Sequence, residues 1–187
     1  MNKEITLYDL TNLVFSDYYI NVVVYEDFND KITKGLLPDS IIKLTFGQSF
    51  NSHIEIFSLP KNLMNLTFGY SFNKIILKNV LPKYLKILHF GKNFSKKIEK
   101  NVLPKFLKII DFINLSFKIG KNILSKYLKI LRSDRHIYIL KTFKENAIPK
   151  SLKKIIILPP LKHIYFNLKK IKIIQHENLK IYFWKNI

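Results

Sequence analysis

The sequence predicts a mainly β, tandem-repeat solenoid in which each unit, about 22 residues long, adds one short strand to a parallel stack. Three landmarks support this fold class because they recur in the same order with the same period. Leu-Pro begins at residues 37, 59, 81 and 103, Phe-Gly at 46, 68 and 90, and Phe-Asn at 28, 50 and 72. A unit of this length has room for one strand and one return leg but not for two helices.

The first part of each unit is predicted to be a strand. Leu44-Thr45-Phe46 alternates apolar and polar residues, and Leu66-Thr67-Phe68 does the same. This period of two is typical of a short strand with one buried face. Glycine follows the strand at 47, 69 and 91, where we expect it to let the chain turn out of the sheet with positive φ.

The second part of the unit is predicted to fill the core and close the coil. Phe at 28, 50, 72 and 94 is expected to stack, unit on unit, into an aromatic spine. Asn follows at 29, 51 and 73, where its amide can satisfy backbone groups of the neighbouring unit. Pro at 38, 60, 82 and 104 fixes φ and prevents a helix, so the return leg is predicted to be extended or a single turn.

The repeat changes towards both ends of the chain. Val22 and Val24 keep its phase, one full repeat before Leu44 and Phe46. After residue 112, segment 124–131 keeps the frame one residue early, 148–157 is a further copy after an insertion, and 161–166, 168–173 and 179–183 keep only the strand-like core. We therefore predict a leader over 1–18, a repeat solenoid over 19–157 and degenerate repeats with a C-terminal cap over 158–187, all within one continuous domain.

The spacing Leu-x-x-Leu-x-Phe, with a downstream Asn and a later Leu-Pro, is similar to a leucine-rich repeat in which Phe replaces several Leu. It resembles most closely the FNIP repeat, also called IP22, whose landmarks stand here as Phe50-Asn51 and, in one unit, Ile148-Pro149. The resemblance covers residues 19 to about 157 and implies a leucine-rich-repeat-like fold. Such proteins occur mainly in social amoebae and in giant viruses that infect amoebae. Many of them carry an N-terminal F-box, for which the leader here is too short.

In a leucine-rich-repeat-like stack, the residues that flank the central apolar residue of each strand point out of the sheet. These residues are Lys43, Thr45, Asn65, Thr67, Ile87, His89, Ile109, Asp111, Ile130 and Arg132, continued by Lys154 and Ile156. We predict that the chain is a non-enzymatic scaffold that binds another protein there; in the alternative reading the face is merely solvated, or its Ile residues meet a cap or a second copy. The resemblance implies a host protein as partner if the source is viral, or a ubiquitin-pathway protein.

The basic charge suggests a second function. Residues 1–60 hold four Lys and eight acids, a net charge of −4, whereas residues 61–187 hold 28 basic residues and five acids, a net charge of +23. Polyanion or nucleic-acid binding through 61–187 is therefore the alternative hypothesis. The candidates for stacking on bases are Tyr165, Phe166, Tyr182, Phe183 and Trp184, although the favoured interpretation of this segment is a C-terminal cap whose apolar side completes the core and whose Lys side stays in water. Against specific readout, thirty of the 32 basic residues are Lys, and AT-rich codons alone give a similar composition. A protein with no selected activity is a third possibility.

The sequence contains no recognisable catalytic, metal or cofactor motif, so we predict neither an enzyme nor a cofactor. The five His, at 53, 89, 136, 163 and 176, are all more than four residues apart, and there is no Cys. Glu26-Asp27 and Asp30 are interpreted as a solvated turn. The lack of a long apolar run, a secretory signal and cysteine predicts an intracellular, cytoplasmic protein that binds no membrane, located in the host cytoplasm if viral.

Overall fold

The computed structural model describes residues 2–5, 20–24, 26–114, 117–133, 143, 147–157 and 180–183. Within these residues the chain forms a single sheet of nine parallel strands, each hydrogen-bonded to the next along the chain. The strands are β1 (Asn2–Ile5), β2 (Ile20–Val24), β3 (Ile41–Thr45), β4 (Asn65–Thr67), β5 (Ile87–Phe90), β6 (Ile109–Phe112), β7 (Ile130–Ser133), β8 (Lys154–Ile157) and β9 (Lys180–Phe183). The predicted parallel strand stack, and with it the solenoid fold, is confirmed.

The strand register follows the sequence period. Leu44 pairs with Leu66, which pairs with Leu88, so each step between strands is one full repeat. Ile110 then pairs with Leu131, one residue earlier than a full repeat, and Leu131 pairs with Ile155, which follows the insertion. The predicted frame is therefore confirmed as far as β8, and β9 adds the strand predicted within 179–183. The strand-like cores predicted at 161–166 and 168–173 lie outside the described residues, as does most of the leader.

Three tight turns close each regular unit. In the first, the N–H of Phe50 donates to the carbonyl of Gly47 at 3.3 Å, and in the second, the N–H of Leu63 donates to the carbonyl of Pro60 at 3.1 Å. The same bonds recur at Phe72, Phe94, Leu85 and Leu107. Since each is a single turn, the predicted form of the return leg is confirmed.

The third turn precedes each Leu-Pro, and also Leu124-Ser125, and it places its third residue in the left-handed region. That residue is Gly35 (φ 87°), Phe57 (58°), Asn79 (68°), Asn101 (66°) or Asn122 (62°). The residue that follows it donates its N–H back across the turn, as Val80 does to Leu77 at 3.3 Å. A turn with positive φ only at its third residue is of type II, which favours Gly or Asn there, so Phe57 occupies an unfavourable backbone conformation.

The glycines after the strands have a different role from the predicted one. Gly35 is the only glycine of the described residues with positive φ, so the expectation of positive φ after the strands was wrong. A Cβ added at Gly69 would lie 2.0 Å from the carbonyl oxygen of Gly47, and one at Gly91 would lie 1.9 Å from that of Gly69. These positions require glycine because successive units approach each other closely through their backbones.

The core is an aromatic spine, as predicted, but it has two columns. The ring of Phe50 stacks between those of Phe28 and Phe72, with centroids 5.9 and 5.8 Å away. The second column lies at the carboxyl ends of the strands, where each ring belongs to the last residue of a strand or to the one directly after it; it runs from Phe46 through Phe68 and Phe90 to Phe112. The two columns also stack on each other within a unit, as at Phe68 and Phe72, whose ring centroids are 3.9 Å apart.

A ladder of asparagine side chains runs beside the spine. The N–H of Asn51 donates to Oδ1 of Asn29 at 2.7 Å, and the N–H of Asn73 donates to Oδ1 of Asn51 at 2.8 Å. Ser95 continues the ladder by donating to Asn73. The predicted role of these amides is confirmed, since each one satisfies a backbone group of the next unit.

Candidate functional site

The residues predicted to bind a partner form one continuous surface, which we call the strand face. It comprises Lys43, Thr45, Asn65, Thr67, Ile87, His89, Ile109, Asp111, Ile130 and Arg132. The strand register aligns them in two columns, one beginning at Lys43 and the other at Thr45. They alternate with fully buried residues such as Leu44 and Leu88, so the core does not depend on them.

The strand face changes character along its length. Its first two units carry Lys43 and the neutral polar Thr45, Asn65 and Thr67. From β5 onward, one column consists of Ile87, Ile109 and Ile130, which are all half-buried. The face therefore has a polar beginning and an apolar stripe, and the stripe is flanked by the charged residues of the other column.

Those charged residues form an ion cluster across three strands. Oδ2 of Asp111 lies 2.5 Å from Nδ1 of His89 and 3.3 Å from Nη1 of Arg132. The side chains of His89 and Arg132 are 31% and 35% exposed, whereas that of Asp111 is only 15% exposed. Two donors thus converge on one carboxylate oxygen, which fixes the three side chains relative to the sheet. The sequence predicted that these residues share a face but not that they pair.

The described residues form no cluster of three or more His, Asp or Glu that could hold a metal ion. His53 is exposed, and Glu26-Asp27 lies in an exposed turn. The histidines at 136, 163 and 176, and the side chains of the C-terminal aromatic residues proposed for base stacking, lie outside the described residues.

A second surface was not predicted from the sequence. It is a groove of about 890 Å³ that runs along consecutive units, between their left-handed turns and their Leu-Pro turns. We call it the turn groove. Residues of the left-handed turns, including Phe57, Asn79 and Asn101, line it together with Lys83 and Lys105 of the Leu-Pro turns. The pattern in the sequence that indicates this groove is Pro-Lys, which recurs at 60, 82 and 104. The prediction of the return leg used only the proline of each pair.

A ladder of stacked aromatic rings accompanies these lysines. Tyr84 stacks on Phe106 at 6.1 Å, and Phe106 stacks on Tyr127 at 5.7 Å. The ammonium group of the preceding Lys lies over each ring, at 5.2 Å from the centroid for Lys83 and 5.5 Å for Lys105. These contacts hold the cationic side chains in a column along the stack.

The first members of the same column show how it binds a carboxylate. Asp39 stands where later units have Lys, and its Oδ1 accepts the main-chain N–H of Lys61 at 2.8 Å. Its Oδ2 lies 2.7 Å from Nζ of the same Lys61. The side-chain hydrogen bond from Lys61, and then the backbone one, lower the pKa of Asp39 below its ordinary value. The position thus offers a carboxylate one backbone donor and one ammonium group.

Comparison with known proteins finds a repeat family that matches part of the chain and a similar solved structure. Residues 28–71 and 72–115 match the FNIP repeat. A giant-virus protein solved as "CroV588, a novel circular LRR protein structure" is similar over 83% of this chain, with 29% identity and a TM-score of 0.58. The chain spans only 26% of the length of that protein. No curated protein matches the chain. Within the described residues, no helix is long and apolar enough to cross a membrane.

Proposed function

We propose that this chain, whose residues 28–115 are FNIP repeats, is a non-enzymatic scaffold that binds another protein through its strand face. The observation that carries the proposal is the composition of that face. Its Ile87, Ile109 and Ile130 form a half-buried apolar stripe beside polar and charged residues. An apolar centre with a polar rim is the usual anatomy of a protein–protein interface.

The ion cluster supports specificity at that interface. Asp111 holds His89 and Arg132 in fixed positions beside the stripe. Arg is enriched at interface hot spots, and charges that are already oriented lose less side-chain entropy when a partner binds. A partner would need an apolar patch for the stripe and hydrogen-bond acceptors for His89 and Arg132.

The proposed partner classes follow from the family. Because the solved relative is a giant-virus protein, a host protein in the cytoplasm is our first candidate. A ubiquitin-pathway protein is the second candidate, because the resemblance to FNIP-repeat proteins implies that class of partner.

The test is affinity purification of the tagged chain from its native cell at about 0.3 M salt, where surface charges are largely screened, with nuclease present. We expect one or two proteins in stoichiometric amounts. Thr67→Glu with Ile109→Glu should abolish their recovery. The matched control carries the same substitutions at Ile75 and Leu77, which are each 60% exposed and lie outside the strand face. If the control variant loses the partner to the same extent, the assignment of the binding site to the strand face is refuted.

Polyanion binding is the second candidate, favoured by the net charge of +23 over residues 61–187. The two candidates differ in their salt dependence. Contacts with phosphates weaken steeply with salt because binding releases counterions, whereas apolar contacts at the stripe should persist. If only nucleic acid is recovered, and only at low salt, polyanion binding is supported and the protein scaffold is rejected.

A further inference from the structure

The turn groove carries a charge pattern that neither the core nor the strand face requires. Lys83, Lys105 and Lys126 line it at equivalent positions of three consecutive units. Within the described residues, no carboxylate forms an ion pair with any of the three. Three aligned and unneutralised ammonium groups in a groove are complementary to an acidic ligand.

The chain itself shows the geometry with which this column binds a carboxylate. Asp39 contacts both the backbone N–H and the side-chain ammonium group of Lys61 in the next unit. Asp39 lies one repeat before Lys61. The residue one repeat before Lys83 is Lys61, and the residue one repeat before Lys105 is Lys83, so both are basic instead of acidic. Later units therefore repeat the cationic half of the Asp39–Lys61 contact without its acidic half.

The aromatic ladder argues for a peptide rather than a single-stranded nucleic acid. Grooves that bind single-stranded nucleic acid with lysines and aromatic rings depend on bases that stack on open ring faces. Here the faces of Tyr84, Phe106 and Tyr127 already stack on one another, and Lys ammonium groups lie over them. The rings thus act as supports for the lysines, and carboxylates fit the donors that remain.

We propose that the turn groove binds an acidic, extended segment of the partner protein, with carboxylates on Lys83, Lys105 and Lys126 in the manner of Asp39 on Lys61. The inference rests on the proposed scaffold function and adds the chemistry of the partner. Because parallel strands lie roughly 4.8 Å apart, three units span about 10 Å, which three or four extended residues cover.

The test measures binding of fluorescein-labelled decaglutamate to the full chain by fluorescence anisotropy at about 0.15 M salt. Lys83→Glu with Lys105→Glu should weaken binding by about tenfold or more, because each substitution removes a charge-assisted hydrogen bond and adds repulsion. The control is Lys92→Glu with Lys118→Glu, which makes the same change in net charge at exposed positions outside the groove. It should change affinity by less than about threefold.

Three results would overturn the proposal: no binding of decaglutamate, equal losses in the two variants, or tighter binding of decathymidylate than of decaglutamate. The last result would assign the groove to nucleic acid. Circular dichroism establishes that each variant is folded. Lys83→Gln with Lys105→Gln replaces the groove variant if the charge reversal unfolds the chain, and it should also weaken binding.

Failure of this inference can be separated from failure of the scaffold function. If, at about 0.15 M salt, the protein partner is recovered equally with the wild type and with the groove variant, and is lost only with the strand-face variant, the scaffold function stands and the groove proposal fails. If decaglutamate binds in the groove but no protein partner is recovered from cells, the acid-binding site stands and the scaffold function fails.

Discussion

Gly69→Ala tests how closely successive units are stacked. The added Cβ would lie 2.0 Å from the carbonyl oxygen of Gly47, far inside the 3.4 Å at which ordinary contact begins. The obstacle is backbone, so no side chain can rotate away. The two units must therefore separate locally, and bonds between them such as Ser71 N–H to the carbonyl of Gln48, at 2.9 Å, would be broken.

The magnitude follows from these contacts. Overpacking of a close-packed interior costs about 1–3 kcal/mol, and each inter-unit hydrogen bond lost adds about 1 kcal/mol. With one or two such bonds broken, we expect Gly69→Ala to lower the free energy of unfolding by about 2–5 kcal/mol. That loss is a large part of the stability of an ordinary domain.

The assay is urea unfolding followed by far-ultraviolet circular dichroism, with Gly120→Ala as the matched control. A Cβ at Gly120 would meet its nearest neighbour, Cγ1 of Ile123, at 3.8 Å, so this variant should be neutral or stabilised by up to about 1 kcal/mol through the unfolded state. If Gly69→Ala is no less stable than Gly120→Ala, the close stacking of the units is refuted.

Three further substitutions test individual contacts. Phe57→Asn should raise the free energy of unfolding by about 1 kcal/mol, because Asn tolerates the left-handed backbone better than a bulky residue; a lower urea midpoint would contradict this. Asn51→Ala should cost about 1 kcal/mol and accelerate hydrogen exchange at the amide of Asn73, so unchanged exchange would argue against the ladder. Asp39→Asn should cost less than about 1 kcal/mol at neutral pH, as for other exposed ion pairs. Because Lys61 lowers the pKa of Asp39 below 3.8, this contribution is complete above that pH and is lost as the pH falls through the lowered value. A difference that persists in strong acid would refute the assignment.

The strand stack and its register could be predicted because they depend on residues that repeat. Leu44, Leu66 and Leu88 recur at the same spacing as Phe-Gly and Leu-Pro, and a period of two within each strand separates buried from outward residues. The aromatic spine and the asparagine ladder could be predicted for the same reason, since like residues in adjacent units of a parallel stack lie next to each other.

The left-handed turn and the turn groove were missed because their residues do not repeat cleanly. Gly35 and Phe57 stand where later units have Asn, and Asn122 is displaced by one residue. The ion cluster was missed because it needs three different residues, His89, Asp111 and Arg132, in three successive units. The period of the repeat predicts which positions lie next to each other. It does not predict which hydrogen bonds or ion pairs form where the residues at those positions differ from unit to unit.

The function of the strand face is tested most directly by photocrosslinking in the native cell. A photoreactive benzoylphenylalanine would be placed at Thr67 on the face and, as control, at the exposed Ile75 outside it. The scaffold proposal predicts that irradiation joins one protein to the chain from position 67 and not from position 75. Crosslinks that are absent from position 67, or equally abundant from both positions, would contradict it.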